Sequence, residues 1–234
     1  SESDVARLFE QRDLISAPVV DDNGKLLGRI TIDDVVDVLQ ERADSSFLGM
    51  AGVGPQEDLF APVLRTARGR TFWLGLNLLT ALFASWAIGL FDATIEKMVA
   101  LAILMPIVAS MGGNAASQTL AVTIRGLAMD QVSRRTTRML LRRELRVGLL
   151  NGTLWAVVVA LAAGFWFRDT HLGLIIGAAM VINLLCAAAA GFAIPVLLHR
   201  SGVDPALAST VFVTTVTDVV GFVAFLGLAA LFLV

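Results

Sequence analysis

Five long apolar stretches in the second part of the sequence constrain its fold more than any other feature. About 20 helical residues cross a hydrocarbon core of about 30 Å, because each residue advances the helix by 1.5 Å. The 234-residue chain is 56% hydrophobic and 16% charged, which excludes an ordinary water-soluble domain. We predict an α-helical integral membrane protein with five transmembrane helices per subunit. The predicted spans are 73–91, 98–121, 149–167, 172–198 and 208–234.

Basic residues beside these stretches predict the orientation in the membrane, since cytoplasmic flanks carry an excess of Lys and Arg. One side has only Lys97 and Arg168 in its short flanks. The N-terminus is therefore predicted to be cytoplasmic and the C-terminus outside. The flanks assigned to the cytoplasm contain Arg65, Arg68, Arg70, Arg125, Arg134, Arg135, Arg138, Arg142, Arg143, Arg146 and Arg200.

The Arg134–Arg146 cluster is explained most simply by this topology and by attraction to anionic lipid headgroups. A dedicated lipid or nucleotide site is the less favoured alternative. Overall, 18 basic residues nearly cancel 20 acidic ones, and the net charge of −2 gives no support to a nucleic-acid partner.

Residues 1–42 are predicted to form a small cytoplasmic α/β fragment with the order helix, strand, strand, helix. Asn23-Gly24 between two apolar runs is typical of a hairpin turn. Residues 43–70 follow as a linker and a connecting amphipathic helix, Glu57–Arg70, which leads into the first span. Residues 71–234 form the predicted transmembrane domain.

The run Gly28–Asp34, with the sequence GRITIDD, resembles the closing strand and helix of a CBS domain. The resemblance implies that Gly28, Thr31 and Asp34 could bind the ribose of an adenine nucleotide such as ATP. Thr31 and Asp34 are also suited to an ordinary helix-capping arrangement, which is the favoured alternative.

Asp218 lies about ten residues into the fifth span, roughly 15 Å deep and near the bilayer midplane. The five predicted spans contain no basic residue that could pair with it. An unpaired carboxylate at this depth costs about 3 kcal/mol, and ionisable residues inside membranes usually mark ion or proton pathways. Other polar residues, such as Asn77 and Asn183, are expected to hydrogen-bond across helices.

Polar residues on one face of the fifth span and one face of the second span are predicted to accompany Asp218. At 100° per residue, Thr210, Thr214 and Thr217 fall on one face with Asp218 and Gly221, which predicts a hydroxyl stripe. The second span has a matching polar face that consists of Pro106, Ser110, Gly113, Asn114, Ser117 and Gln118.

Oxygen ligands of this kind favour a hard cation such as Mg²⁺, held largely through its own water molecules. Two chains related by a two-fold axis would supply two copies of Asp218 to one divalent ion, which favours a homodimer in the lipid bilayer. The candidate metal residues are Asp218, Asn114, Gly113, Ser117, Thr214 and Thr210.

The run Met105–Asn114, with the sequence MPIVASMGGN, and the run Thr214–Gly221, with the sequence TTVTDVVG, resemble the MgtE family of magnesium channels. The resemblance covers the C-terminal part of a CBS pair and the five spans. It implies plasma-membrane Mg²⁺ uptake through a homodimeric pore lined by spans two and five, with a hydrated ion at Asp218. It also implies gating by cytoplasmic Mg²⁺, with Glu57 and Asp58 as candidate gate acids on the connecting helix. Ser117 departs from the Asn of some members.

Two other functions are consistent with these residues. One is a transporter that couples divalent-ion movement to H⁺ or Na⁺, and the other is a CBS-linked membrane sensor that transports nothing. The sequence gives no reason to expect an enzyme, because it contains no HExxH or GxSxG motif and no Ser/His/Asp set at membrane depth.

Overall fold

The computed structural model describes residues 2–53, 60–129, 131–133 and 135–233. At the N-terminus, helix α1 (Glu2–Arg12) is followed by strands β1 (Ser16–Val20) and β2 (Leu26–Thr31) and by helix α2 (Ile32–Met50). The strands pair antiparallel, with Ser16 opposite Thr31. The predicted order of this fragment is confirmed, as is its Asn-Gly turn, in which Gly24 has a φ of +80°.

The N-terminal fragment has a very small core, in which Ala6 and Phe9 of α1 pack against Val35 of α2. Its two-stranded sheet has no third strand in the described residues. A hairpin with one covering face is marginally stable without further support. Part of that support comes from α2, which continues into the predicted linker as far as Met50 and packs on the membrane domain.

Five of the remaining helices are long and apolar enough to cross a membrane, which confirms the predicted number of spans. A short helix, α4 (Asp92–Lys97), separates the first two of them. The long helices are α3 (Val63–Gly89), α5 (Ala100–Ala128), α6 (Thr137–Phe167), α7 (Thr170–Arg200) and α8 (Pro205–Phe232).

Several helices extend beyond their predicted spans at one end of the bundle, which we call the α2 end because α2 packs there. Helix α3 starts at Val63 rather than at residue 73, and α6 starts at Thr137 rather than at residue 149. Hydropathy detects only the apolar part of a helix, whereas backbone hydrogen bonding continues through Arg-rich turns outside the hydrocarbon. Within the predicted connecting helix Glu57–Arg70, residues 63–70 are therefore continuous with the first span, whereas residues 60–62 precede the helix.

Helix α7 is the centre of the bundle, because it packs against α5, α6 and α8, whereas α3 packs mainly on α8 at the periphery. Glycines allow the close approach. A Cβ added to Gly191 would lie 2.7 Å from the carbonyl oxygen of Ala116, and one added to Gly173 would lie 2.5 Å from that of Ala160. Membrane helices commonly associate through such small surfaces.

This packing predicts different outcomes for one substitution at two positions. Gly191→Leu should destabilise the fold by about 1–3 kcal/mol, because the new side chain overlaps α5. Gly75→Leu on α3 is the matched control and should change stability by no more than about 0.5 kcal/mol, because its added Cβ would meet no neighbouring helix within 4 Å. Thermal unfolding in detergent measures both, and equal melting temperatures would contradict the packing.

Candidate functional site

Helix α5 has a polar stripe on the outside of the subunit. Ser110, Asn114 and Ser117 are exposed, and Gly113 between them is half-buried. The opposite face is apolar and packed, with Val108 and Ala116 fully buried. We define the α5 stripe as Ser110, Gly113, Asn114 and Ser117. In a single subunit it faces outward, at a depth where lipid cannot satisfy hydrogen-bonding groups.

Asp218 lies in the middle of α8 and is half-buried. Among the described residues, no salt bridge includes its carboxylate. No group of three or more His, Cys, Asp or Glu side chains comes together elsewhere in the described residues to hold a metal ion. Asp218 is thus an anionic side chain on α8, whereas the polar groups of the α5 stripe are neutral.

Asn183 of α7 fixes the relative depth of helices α5 and α8. Its side chain is fully buried and donates from Nδ2 to the carbonyl oxygen of Val108 on α5 at 2.9 Å. It fills the space beside Gly112 of α5 and Gly221 of α8, where an added Cβ on either glycine would overlap the amide. The predicted hydrogen bond across helices is therefore confirmed at Asn183.

Asn114 and Asp218 consequently lie at one level of the bundle. Asn114 is two residues after Gly112, and Asp218 is three residues before Gly221. Because α5 and α8 run in opposite directions, both positions are displaced from Asn183 toward the α2 end, by about 3 Å and about 4.5 Å. The structure thus brings the amide of Asn114 and the carboxylate of Asp218 to a similar depth.

The predicted hydroxyl stripe on α8 is only partly correct. Thr214 is half-buried and donates to the carbonyl oxygen of Thr210 on its own helix at 2.9 Å. Thr217 and Gly221, however, are buried inside the subunit, where Thr217 donates to the carbonyl oxygens of Val213 and Thr214. Because the 100° arc is wide, one edge of it packs against neighbouring helices while the other stays open.

Thr210 makes a contact that the sequence did not predict. Its hydroxyl donates to the carbonyl oxygen of Met50, the last residue of α2, at 3.1 Å. One turn earlier on α8, Ala206 packs close to Gly49, whose added Cβ would lie 3.1 Å from the Cβ of Ala206. Gly49 was expected in a linker, and no periodic pattern distinguishes it as a packing position. The end of α2 is therefore docked directly on the start of α8.

The remaining predicted residues lie in or beside the N-terminal part. The backbone N–H and hydroxyl of Thr31 donate to one carboxylate oxygen of Asp34 at 2.8 and 3.0 Å, which is the capping arrangement considered above. Gly28 is exposed on β2. A nucleotide site at these residues stays a prediction, and Glu57 and Asp58 lie outside the described residues.

Comparison with known families and proteins relates this architecture to established sequences. Residues 105–228 match the family model MgtE, described as "Divalent cation transporter", and residues 2–41 match the CBS domain model. The first match includes the α5 stripe, Asn183 and Asp218. The second ends within α2, before its contact with α8.

Curated relatives match almost the whole chain. It is 33% identical over 232 residues to the magnesium transporter MgtE of Bacillus subtilis (strain 168) and 34% identical over 235 residues to that of Thermus thermophilus. The corresponding protein of Enterococcus faecalis is 32% identical. Each match covers 99% of this chain but only 51–52% of the relative, so the chain spans about half the length of these proteins.

The position of Asn183 predicts its contribution to stability. Asn183→Leu should destabilise the fold by about 0.5–2 kcal/mol, because the hydrogen bond to Val108 is lost where membrane helices meet. Asn77→Leu, the same change on an exposed position of α3, should be neutral or stabilising. Unfolding in mixed micelles measures the free energy of unfolding of both variants. Equal changes in that free energy would show that the Asn183 hydrogen bond does not stabilise the helix packing.

Proposed function

The chain belongs to the MgtE family of divalent cation transporters, and we propose that it conducts Mg²⁺ into the cell through a pore formed where two copies meet. Three relatives that match the chain along 99% of its length are named magnesium transporters. The observation that carries the proposal is the outward position of the α5 stripe and its common depth with Asp218.

A second copy of the chain would remove the polar groups of the α5 stripe and Asp218 from contact with lipid. Exposed amides and hydroxyls and a half-buried carboxylate are unfavourable against lipid tails, and closed two-fold dimers are the commonest oligomers. A two-fold axis beside α5 and α8 would enclose both stripes in a water-filled path. Two copies of Asp218 would then face one divalent cation, whose charge offsets the cost of burying two carboxylates.

The neutral groups suit an ion that keeps its water. Mg²⁺ dehydrates reluctantly and binds proteins through few direct ligands, so its waters need hydrogen-bond acceptors on the wall. The amide oxygen of Asn114, the hydroxyl of Ser117, the carbonyl of Gly113 and the free lone pair of Thr214 can accept from those waters. The two Asp218 carboxylates supply the charge.

The membrane potential would drive the ion inward in the proposed orientation. Each elementary charge gains about 2.3 kcal/mol per 100 mV, and a divalent ion gains twice that. The Arg-rich α2 end would face the cytoplasm, since positive flanks are retained on that side. A channel therefore needs no coupled ion to accumulate Mg²⁺.

Gating would act through the docked end of α2. Met50 and Gly49 contact α8 at Thr210 and Ala206, so a displacement of α2 changes the surroundings of the proposed path at its cytoplasmic end. Cytoplasmic Mg²⁺ is the proposed signal, with Glu57 and Asp58 as candidate ligands and ATP as a further candidate ligand of the CBS fragment. These roles rest on the family resemblance.

Asp218→Asn tests the proposal, because it preserves side-chain size and removes the charge. Mg²⁺ uptake into proteoliposomes with an inside-negative potential should fall at least about tenfold relative to the unchanged chain. Asp22→Asn, the same substitution on the exposed turn of the hairpin, should leave uptake unchanged. Both variants must elute and melt like the unchanged protein.

Equal uptake by the Asp218→Asn and Asp22→Asn variants would exclude Asp218 from the ion path. Repeating the assay with and without an imposed H⁺ or Na⁺ gradient separates a channel from the coupled transporter. Uptake that requires either gradient would favour the coupled transporter.

A further inference from the structure

A groove on the side of the bundle is separate from the α5 stripe. Helices α5 and α6 make few contacts with each other, but both pack on α7, which forms the floor. Two neighbouring cavities of about 240 and 180 Å³ lie along this groove and share Val122, Arg143 and Glu144. Together they extend from Asn151 on α6 to Thr136, at the start of that helix.

The groove combines an apolar floor with a polar mouth, which contains one cation and one anion, Arg143 and Glu144. Leu184, Ala188 and Phe192, on successive turns of α7, line it over about 12 Å. Arg143 lines the groove and its side chain is exposed. The distance from its guanidinium nitrogen to the carboxylate oxygen of Glu144 is long, at 3.5 Å. Arg138, Arg142 and Arg146 are exposed on the same helix, and Glu144 is the acidic side chain that lines the described groove.

The mouth lies where lipid headgroups lie. Helix α6 has 31 residues and is about 46 Å long, which exceeds the hydrocarbon thickness of about 30 Å. Its apolar part begins near Leu149, and Arg143 precedes that point by six residues, or about 9 Å. Arg143 is thus at headgroup level, while Leu184, which lies beside Gly152 of α6, is at the level of the acyl chains.

We propose that this groove is a binding site for one anionic phospholipid. The phosphate would accept hydrogen bonds from the Arg143 guanidinium, which suits paired phosphate oxygens. One acyl chain would lie on Leu184 and Ala188, and the side-chain amide of Gln118 can donate to a glycerol ester. Basic pockets between membrane helices are known to select anionic headgroups.

Charge and position favour a lipid over a second copy of the chain as the occupant. The groove-lining face of α5, with Val122 and Thr119, is roughly 160° around the helix from the α5 stripe. A dimer that covers the stripe can therefore leave the groove open to the bilayer. A bound lipid would brace α5 against α6, which otherwise make few direct contacts.

Native mass spectrometry of the detergent-purified protein tests the site with phosphatidylglycerol and phosphatidylcholine of identical acyl chains. The unchanged protein should retain phosphatidylglycerol preferentially. Arg143→Gln should weaken that binding about fivefold, as expected for one lost cation near a headgroup. Arg142→Gln is the matched control, because it removes the same charge from the neighbouring exposed position, which does not line either cavity.

A second pair of variants tests the groove without changing charge. Val122→Trp should fill it and reduce retention of phosphatidylglycerol, whereas Val157→Trp, on the exposed surface of α6, should not. If Arg143→Gln and Arg142→Gln reduce phosphatidylglycerol retention equally, or if the unchanged protein retains both lipids equally, the proposed site is wrong. Anionic lipid would then be attracted only diffusely by the basic surface. Conversion of dimers to monomers by Arg143→Gln and Val122→Trp, with lipid retention unchanged, would identify a protein interface instead.

Discussion

The hydrogen bond from Asn183 to the carbonyl oxygen of Val108 is the contact on which the proposed ion site depends. It holds α7 against α5 in the middle of the membrane, where the amide also occupies the space beside Gly112 and Gly221. Larger residues at either glycine would displace the amide. The spacing of α5 and α8 therefore depends on the buried side chain of Asn183 and on the absence of a side chain at Gly112 and Gly221. The common depth of Asn114 and Asp218 follows from that spacing.

The inward packing of Asn183 also explains why the other polar groups face outward. Since α7 occupies the inner side of α5, Ser110, Asn114 and Ser117 remain on the side away from it. A single subunit cannot enclose them, and the membrane gives them no hydrogen-bond partners. In the proposed dimer, closure by a second subunit would turn this unfavourable surface into a hydrated path. The docking of α2 on α8 joins the N-terminal fragment to the start of α8, where the proposed gating would act.

Much of the architecture was predictable because hydrophobic burial in lipid leaves a strong pattern. The five spans, the hairpin turn at Asn23-Gly24 and the buried bond of Asn183 all follow from local composition and from the cost of unpaired polar groups. The helix ends at Val63 and Thr137 were less predictable, since helical hydrogen bonding does not stop where the hydrocarbon stops.

Contacts between distant segments were the least predictable part of the site. Nothing in the local pattern around Gly49 or Met50 indicates that they contact α8. Met50 and its partner Thr210 are 160 residues apart in the sequence. The division of the α8 stripe into an open edge and a buried edge likewise depends on where α5 and α7 lie. Helical periodicity gives the angle between residues but does not say which angle faces a neighbour.

The most direct measurement is anomalous diffraction from crystals of the protein grown with Mn²⁺, which prefers the same oxygen ligands as Mg²⁺. We expect two copies related by a two-fold axis, with one Mn²⁺ peak on that axis between the two Asp218 carboxylates and at the depth of Asn114. A crystal in which the α5 stripe faces lipid and Mn²⁺ binds away from Asp218 would contradict the proposed pore.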